Sequence, residues 1–245
     1  MRTTATQLVT YFTCPFLWYV SYEIKEPLPV WGTRRRFGNV IHAAIAEYER
    51  RGRSLERALL LLEEQQGGLS RQDLEEARSI LVWRHERTRE REGRPFLIEG
   101  ALSTSIAGYR LQVRMDRLDR VGEEYLLAEY KTGGEVDLRI VIVQLSILAY
   151  AVWSALGRAP ARWQLELLRS RKVFEVDPVT DPELLTRLTA DLLRSIARGH
   201  HEPRPYDRGF CRKCPAREHC PRWTPNPKPL RHHVREKETQ LHLFP

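Results

Sequence analysis

The residues best suited to chemistry in this chain sit where two stretches of alternating character meet. One runs through Arg114-Met115-Asp116 and the other reads Leu126-Leu127-Ala128-Glu129-Tyr130-Lys131. Residues two apart in a strand share a face, so Glu129 and Lys131 point one way and Tyr130 the other. If the two strands pair through a turn near Gly122, Asp116 comes beside Glu129. Two carboxylates converging on one point repel unless a cation neutralises them. A hard divalent ion such as Mg²⁺ does so with oxygen ligands. An ammonium beside that ion can hold a water and assist its deprotonation, a combination able to attack a phosphodiester. The plainer alternative is an exposed Glu–Lys pair on a strand, which contributes little.

The four cysteines form a second constellation. Cys211, Cys214 and Cys220 are spaced C-x2-C-x5-C, and Cys14 lies far away in Thr13-Cys14-Pro15-Phe16. Four thiolates suit either an iron–sulfur cluster or Zn²⁺. A metal group held by them would clamp the two ends of the chain and tie folding to metal supply. Arg208, Arg212, Lys213, Arg217 and Arg222 surround these cysteines, and Phe210 and Trp223 add flat apolar surfaces. Single strands are commonly held in basic grooves with aromatics; a solvated basic loop has the same composition.

The elements that must position these groups follow from the hydrophobic period. An aromatic-rich stretch, Thr6 to Ile24, begins with a helix, and residues 25–37, with Arg34-Arg35-Arg36, read as a basic loop. Helices are expected over Gly38–Arg51, Leu55–Gln66 and Gln72–Glu92, the last two divided by Gly67-Gly68. Gly38 permits a close approach at the start of the first. The period then changes to that of strands over Pro95–Ala107, Tyr109–Arg120 and Glu124–Lys131, with turns at Gly108 and Gly122. An apolar helix over Arg139–Leu156, a hairpin of Trp163–Arg169 with Lys172–Val176, and a helix over Leu184–Ala197 complete the core. This order predicts an α/β fold, a mixed central sheet flanked by helices.

The 245 residues allow one domain with appendages, and 42% hydrophobic with 29% charged residues excludes a disordered chain. No unbroken apolar run reaches the roughly 18 residues of a membrane span. The opening Met1-Arg2-Thr3-Thr4-Ala5 lacks the apolar core of a signal peptide, so no membrane and a cytoplasmic location are expected. Net charge is +8, from 40 basic and 32 acidic residues, and 34 of the basic residues are Arg. That excess suits a polyanion partner, although a GC-rich genome writes the same bias.

The segment Asp116 … Ala128-Glu129-Tyr130-Lys131-Thr132-Gly133 resembles the core of the PD-(D/E)XK nucleases, in particular the RecB-type branch in which YKTG follows the second carboxylate. That branch also carries a Gly-x-x-x-His helix, matched here by Gly38-Asn39-Val40-Ile41-His42. The resemblance implies a restriction-endonuclease-like core. It implies that His42, Asp116, Glu129 and the main-chain carbonyl of Tyr130 hold Mg²⁺ or Mn²⁺, and that Lys131 positions or activates the attacking water. It marks Glu99 as an acid on the preceding strand, and Gln144 and Tyr150 as DNA contacts. Here their spacing is six instead of the branch's four, which turns Tyr150 about 120° from Gln144 on an ideal helix.

The cysteine arrangement, with Thr4-Ala5-Thr6-Gln7-Leu8 … Cys14-Pro15, is similar to the iron–sulfur members of the branch, the CRISPR-associated Cas-four proteins and the helicase–nuclease subunit AddB. By that resemblance Cys14, Cys211, Cys214 and Cys220 hold a [4Fe–4S] cluster joining the N- and C-terminal segments. The implied organisation is 1–24 plus 199–224 as the cluster region, 25–198 as nuclease core with a helical insertion at 54–92, and 225–245 as a flexible Pro-rich tail. In that tail Gln240, Leu241, Leu243 and Phe244 look like the short motif by which bacterial replication and repair proteins dock on the sliding clamp. The expected function is a metal-dependent deoxyribonuclease, exonuclease rather than endonuclease, acting on single strands or DNA ends in repair, recombination or CRISPR adaptation. A sliding clamp, a helicase or CRISPR adaptation proteins are the partners this implies. The competing expectation is a catalytically inactive iron–sulfur DNA-binding adaptor, tethered to the clamp or to another DNA-processing complex.

Overall fold

The computed structural model describes residues 2–29, 32–65, 67–88, 93–133 and 136–230; the clamp-like motif at 240–244 lies outside them. The alternating stretch over 94–131 becomes three strands, β2 (Arg94–Ile106), β3 (Tyr109–Val121) and β4 (Glu124–Lys131). Gly108 and Gly122 turn the chain between them with positive φ, where a side chain would be strained. β3 is the axis of the sheet. β2 pairs antiparallel along one edge, and the other edge is shared between β1 (Arg2–Thr4), parallel to residues 110–112, and β4, antiparallel to residues 117–121. β4 pairs in parallel with β5 (Arg162–Leu167), and β5 antiparallel with β6 (Lys172–Val176). The sheet is therefore mixed, as expected, with order β1-β3-β4-β5-β6 and β2 beside β3.

Helices cover both faces. Alternation along β4 sends Leu126, Ala128 and Tyr130 into one apolar cluster with α3 (Gly32–Arg50), α4 (Leu55–Glu64) and α5 (Arg71–Thr88). Leu127 goes to the opposite cluster with α1 (Ala5–Thr13), α6 (Leu138–Leu156) and α7 (Pro182–Ala197). The parallel β4–β5 pair needs a crossover, and α6 supplies it. This helix is long and apolar enough to cross a membrane by length and composition, although the sequence shows no unbroken apolar run. It is the central core helix, with Leu145 to Val152 buried without interruption.

α1 starts at a capping box: Thr4 Oγ1 accepts from the Gln7 N–H at 3.2 Å, and Gln7 Oε1 accepts from the Thr4 N–H at 3.0 Å. After α1 come α2 (Pro15–Trp18) and a π turn (Tyr19–Glu23). The basic segment expected as a loop up to residue 37 is helical from Gly32. Arg is a good helix former and no proline interrupts the run, so the helix extends backward. Gly38 makes the expected close approach: a Cβ there would lie 3.1 Å from Thr132 Oγ1. Among its described residues the C-terminal segment adds a short α8 (Arg208–Cys211) and a 3-10 turn (Arg217–His219).

Candidate active site

β3 and β4 separate where the chemistry gathers. Their ladder runs from Val121 opposite Glu124 to Arg117 opposite Ala128 and ends there. The next residue of β3, Asp116, turns its carboxylate to the neighbouring strand, and Oδ2 accepts the Tyr130 N–H at 2.7 Å. The other oxygen, Oδ1, lies 3.1 Å from His42 Nδ1 on α3. That same nitrogen is 3.1 Å from Glu99 Oε1. Glu99 falls in the β2–β3 register between the pairs Ile98–Arg117 and Gly100–Met115, which sets it across from Asp116. Its φ is 46°, a left-handed conformation uncommon outside glycine and concentrated at functional positions. Donor atoms of His42, Glu99 and Asp116 all lie within 4.8 Å of one another.

Burial alone would push the His42 imidazole down, but hydrogen bonds to Asp116 and Glu99 outweigh it and raise the group to about 10. Glu99 moves down despite its own burial, because it accepts from His42 and from Arg114. Arg114 Nε donates to Glu99 Oε2 at 2.9 Å, while 70% of its side chain stays exposed at the cleft.

Glu129 and Lys131 do share a face. Lys131 Nζ donates to Glu129 Oε1 at 2.9 Å and to Gln144 Oε1 of α6 at 2.7 Å, and Gln144 Nε2 closes the triangle onto Glu129 Oε1. Glu129 is buried, and desolvation together with the nearby Asp116 charge pushes it up to about 7 against the pull of Lys131. Its second oxygen, Oε2, is buried with no hydrogen-bond partner among the described residues. A cleft of about 950 Å³, lined by Asn39, His42, Glu47, Arg50, Glu99 and Arg114 among others, opens on one side of these groups. A second space of about 420 Å³ is lined by Thr10, Glu129, Tyr130, Lys131, Gly133 and Gln144 among others. The two spaces have Thr6, His42 and Thr132 in common.

The structure thus brings together His42, Asp116, Glu129, Lys131 and Gln144. Tyr130 joins them through its main chain, and its ring lies edge-on to the His42 ring, centroids 5.8 Å apart, while its hydroxyl enters a buried set of charges. Tyr150 is not at the site: it is buried in the core, and its hydroxyl donates to the Ser105 carbonyl at 3.3 Å. The six-residue spacing had already turned it off the face of Gln144. Glu99 is a closer partner of His42 than sequence reasoning made it. The available signal was its place in the hairpin opposite Asp116.

All four cysteines line a single cavity of about 260 Å³, together with Phe16, Phe210 and Trp223. The turns there are tight, with the Cys214 N–H on the Cys211 carbonyl at 3.3 Å and the Cys220 N–H on the Arg217 carbonyl at 3.2 Å. Burial, reinforced by the other three thiols, pushes Cys214 up to about 11.

The family model described as PD-(D/E)XK nuclease superfamily matches residues 2–221. Among solved structures, a "Putative exonuclease" from Eubacterium rectale is 11% identical, with 86% of each chain covered and a TM-score of 0.53. A second solved chain, SSO0001, is 16% identical, with 91% of this chain and 87% of that one covered and a TM-score of 0.42. No curated protein matches the chain.

Proposed function

The chain belongs to the PD-(D/E)XK nuclease superfamily, and from that premise we propose that it is a metal-dependent deoxyribonuclease acting as an exonuclease on single strands or DNA ends. The observation that carries this reading is the meeting of His42, Glu99 and Asp116 near the Glu129–Lys131 pair, with His42 lining both the larger cleft and the space beside that pair. The donor set fits a hard divalent cation: carboxylate oxygens, one imidazole, and a buried Glu129 oxygen with no hydrogen-bond partner among the described residues. His42, Asp116, Glu129 and the Tyr130 carbonyl would hold it, with Glu99 as a further ligand. A bound Mg²⁺ or Mn²⁺ supplies charge stabilisation at the phosphoryl oxygens and acidifies a water. Lys131, fixed by Glu129 and Gln144, keeps an ammonium donor at the site to orient that water, and Gln144 also faces the DNA path.

The [4Fe–4S] assignment rests on the C-x2-C-x5-C spacing with the distant Cys14 and on all four cysteines lining one cavity. Cys14, Cys211, Cys214 and Cys220 would bind the cluster and fasten 199–224 to the N-terminal helices, leaving 25–198 as the catalytic core. A structural role is enough to explain it. The tail residues Gln240, Leu241, Leu243 and Phe244 would dock on a sliding clamp, and the proposed setting is DNA repair, recombination or CRISPR adaptation.

End-labelled single- and double-stranded DNA, incubated with and without Mn²⁺, tests the proposal. The expected result is Mn²⁺-dependent shortening by the native chain, abolished in Asp116→Ala and Lys131→Ala while the fold and the cysteine-held cluster are kept. Full activity in either variant overturns the assignment. Salt-sensitive DNA binding without any product from the native chain would instead favour an inactive adaptor.

A further inference from the structure

On the far face of β4 lies a set of charges that the chemistry above does not use. Arg84 from α5 donates from Nη2 to Glu49 Oε1 at 2.8 Å and to the Tyr130 hydroxyl at 2.6 Å, and from Nη1 to Glu166 Oε2. Arg117 from β3 donates from Nη1 to the same hydroxyl at 2.8 Å and to Glu49 at 3.3 Å, and from Nη2 to Glu166 at 3.3 Å. Its Nε lies 3.1 Å from Asp119 Oδ1. None of these charged side chains is more than 3% exposed, and the Arg84 guanidinium also lies 4.6 Å from the Tyr130 ring centroid. Buried ion pairs of this kind are generally no more stabilising than well-packed apolar residues of the same volume. What they supply is direction, because a planar guanidinium fixes its acceptors in angle as well as distance.

The members sit on the elements that carry the cleft. Glu49 is seven residues beyond His42 on α3, hence on the same helical face about 10 Å along. Arg117 follows Asp116 directly. Tyr130 holds Asp116 through its N–H and lies between Glu129 and Lys131. Glu166 pairs with Tyr130 in the β4–β5 register. We propose that this buried lattice is a positioning device: it locks α3 to β3 and β4 at one spacing, so that the His42 imidazole meets the Asp116 carboxylate and the divalent-cation site is formed before the cation arrives. The inference rests on the nuclease reading for the purpose of that site. Glu49, Arg84, Arg117 and the Tyr130 hydroxyl are positioning groups that touch neither cation nor substrate.

Two variants of the full chain test it. Glu49→Met with Arg84→Met replaces the tie between α3 and α5 by apolar groups of similar length, and Tyr130→Phe removes only the shared acceptor. Mn²⁺ affinity is measured by calorimetric titration, cleavage by kcat and KM on labelled DNA, and folding by the thermal midpoint. The double variant is expected to weaken Mn²⁺ binding and kcat at least tenfold, with KM within twofold and a thermal midpoint no lower than the native chain's. Tyr130→Phe is expected to show the same split at about threefold. A folded variant that binds Mn²⁺ as the native chain does overturns the proposal. So does a loss that vanishes once the assay temperature is lowered in step with the thermal midpoint. If the native chain binds Mn²⁺ but does not cleave, the nuclease reading fails while the titration still decides the lattice's role. A native chain that binds no Mn²⁺ overturns both.

Discussion

The two oxygens of Glu99 face different partners, the imidazole of His42 and the guanidinium of Arg114. Substituting Glu99→Gln keeps the shape and removes the charge, so Mn²⁺ affinity should fall about tenfold, with the thermal midpoint unchanged. Calorimetric titration of the purified variant checks this, and a native-like Kd would exclude Glu99 from the ligand set. Legibility at this scale depended on local spacing. A period of two sufficed to put Glu129 and Lys131 on one face, and the hairpin turn at Gly122 brought Asp116 to them. His42 was legible only through the Gly-x-x-x-His resemblance, because a helix position says nothing about which strand it will meet. On α6 the residue four beyond Gln144 is Leu148, fully buried, and Tyr150 lies on a different face of the helix that is buried as well.

The N-terminal end of α6 is fastened to the cysteine segment by a small polar latch. Asp137 caps the helix by accepting from the Arg139 N–H at 2.9 Å, and it also accepts from the Arg139 guanidinium and the Tyr206 hydroxyl. Arg139 reaches on to Asp207 at 3.1 Å, and Tyr206 stacks on Phe12 with centroids 5.5 Å apart. Bonds from Arg139 first, then Tyr206, hold the Asp137 carboxyl well below the usual carboxylate range. The unfolded chain therefore takes up this proton at higher pH than the folded one. The stabilisation is complete above about pH 4 and is lost as pH falls toward the folded value. Asp137→Asn retains a helix cap but lacks that titration, so its thermal midpoint should fall less steeply than the native chain's between about pH 4 and 2. Parallel midpoint–pH curves for the two proteins would remove Asp137 from the latch. Elements with strong period and glycine turns were legible in the sequence. β1 was not, because three residues carry no period and gain strand character only from β3. The latch was not, because its members lie on both sides of α7.

The charge lattice and the cysteine cavity define how the molecule is joined as a whole, and they differ in legibility. Four cysteines in a sparse, spaced set announce a shared site by count alone. Glu49, Arg84, Arg117 and Glu166 are four among 72 charged residues, and nothing local distinguishes a buried ion from a solvated one. Their pairing is a property of the packed sheet. If the cysteines hold an iron–sulfur cluster, Cys220→Ser should lower iron and acid-labile sulfide in anaerobically purified protein and expose 199–224 to limited proteolysis. Iron content equal to that of the native chain would dismiss the cluster. The seam that the cysteines share is also closed by ordinary hydrogen bonds. The Tyr11 hydroxyl donates to the carbonyl of His200, 189 positions away, at 2.6 Å, and the Tyr206 N–H donates to the Thr13 carbonyl at 3.1 Å. α1 and the residues that seal this seam are made 189 positions apart, so its closure waits on the synthesis of the strands and helices between them.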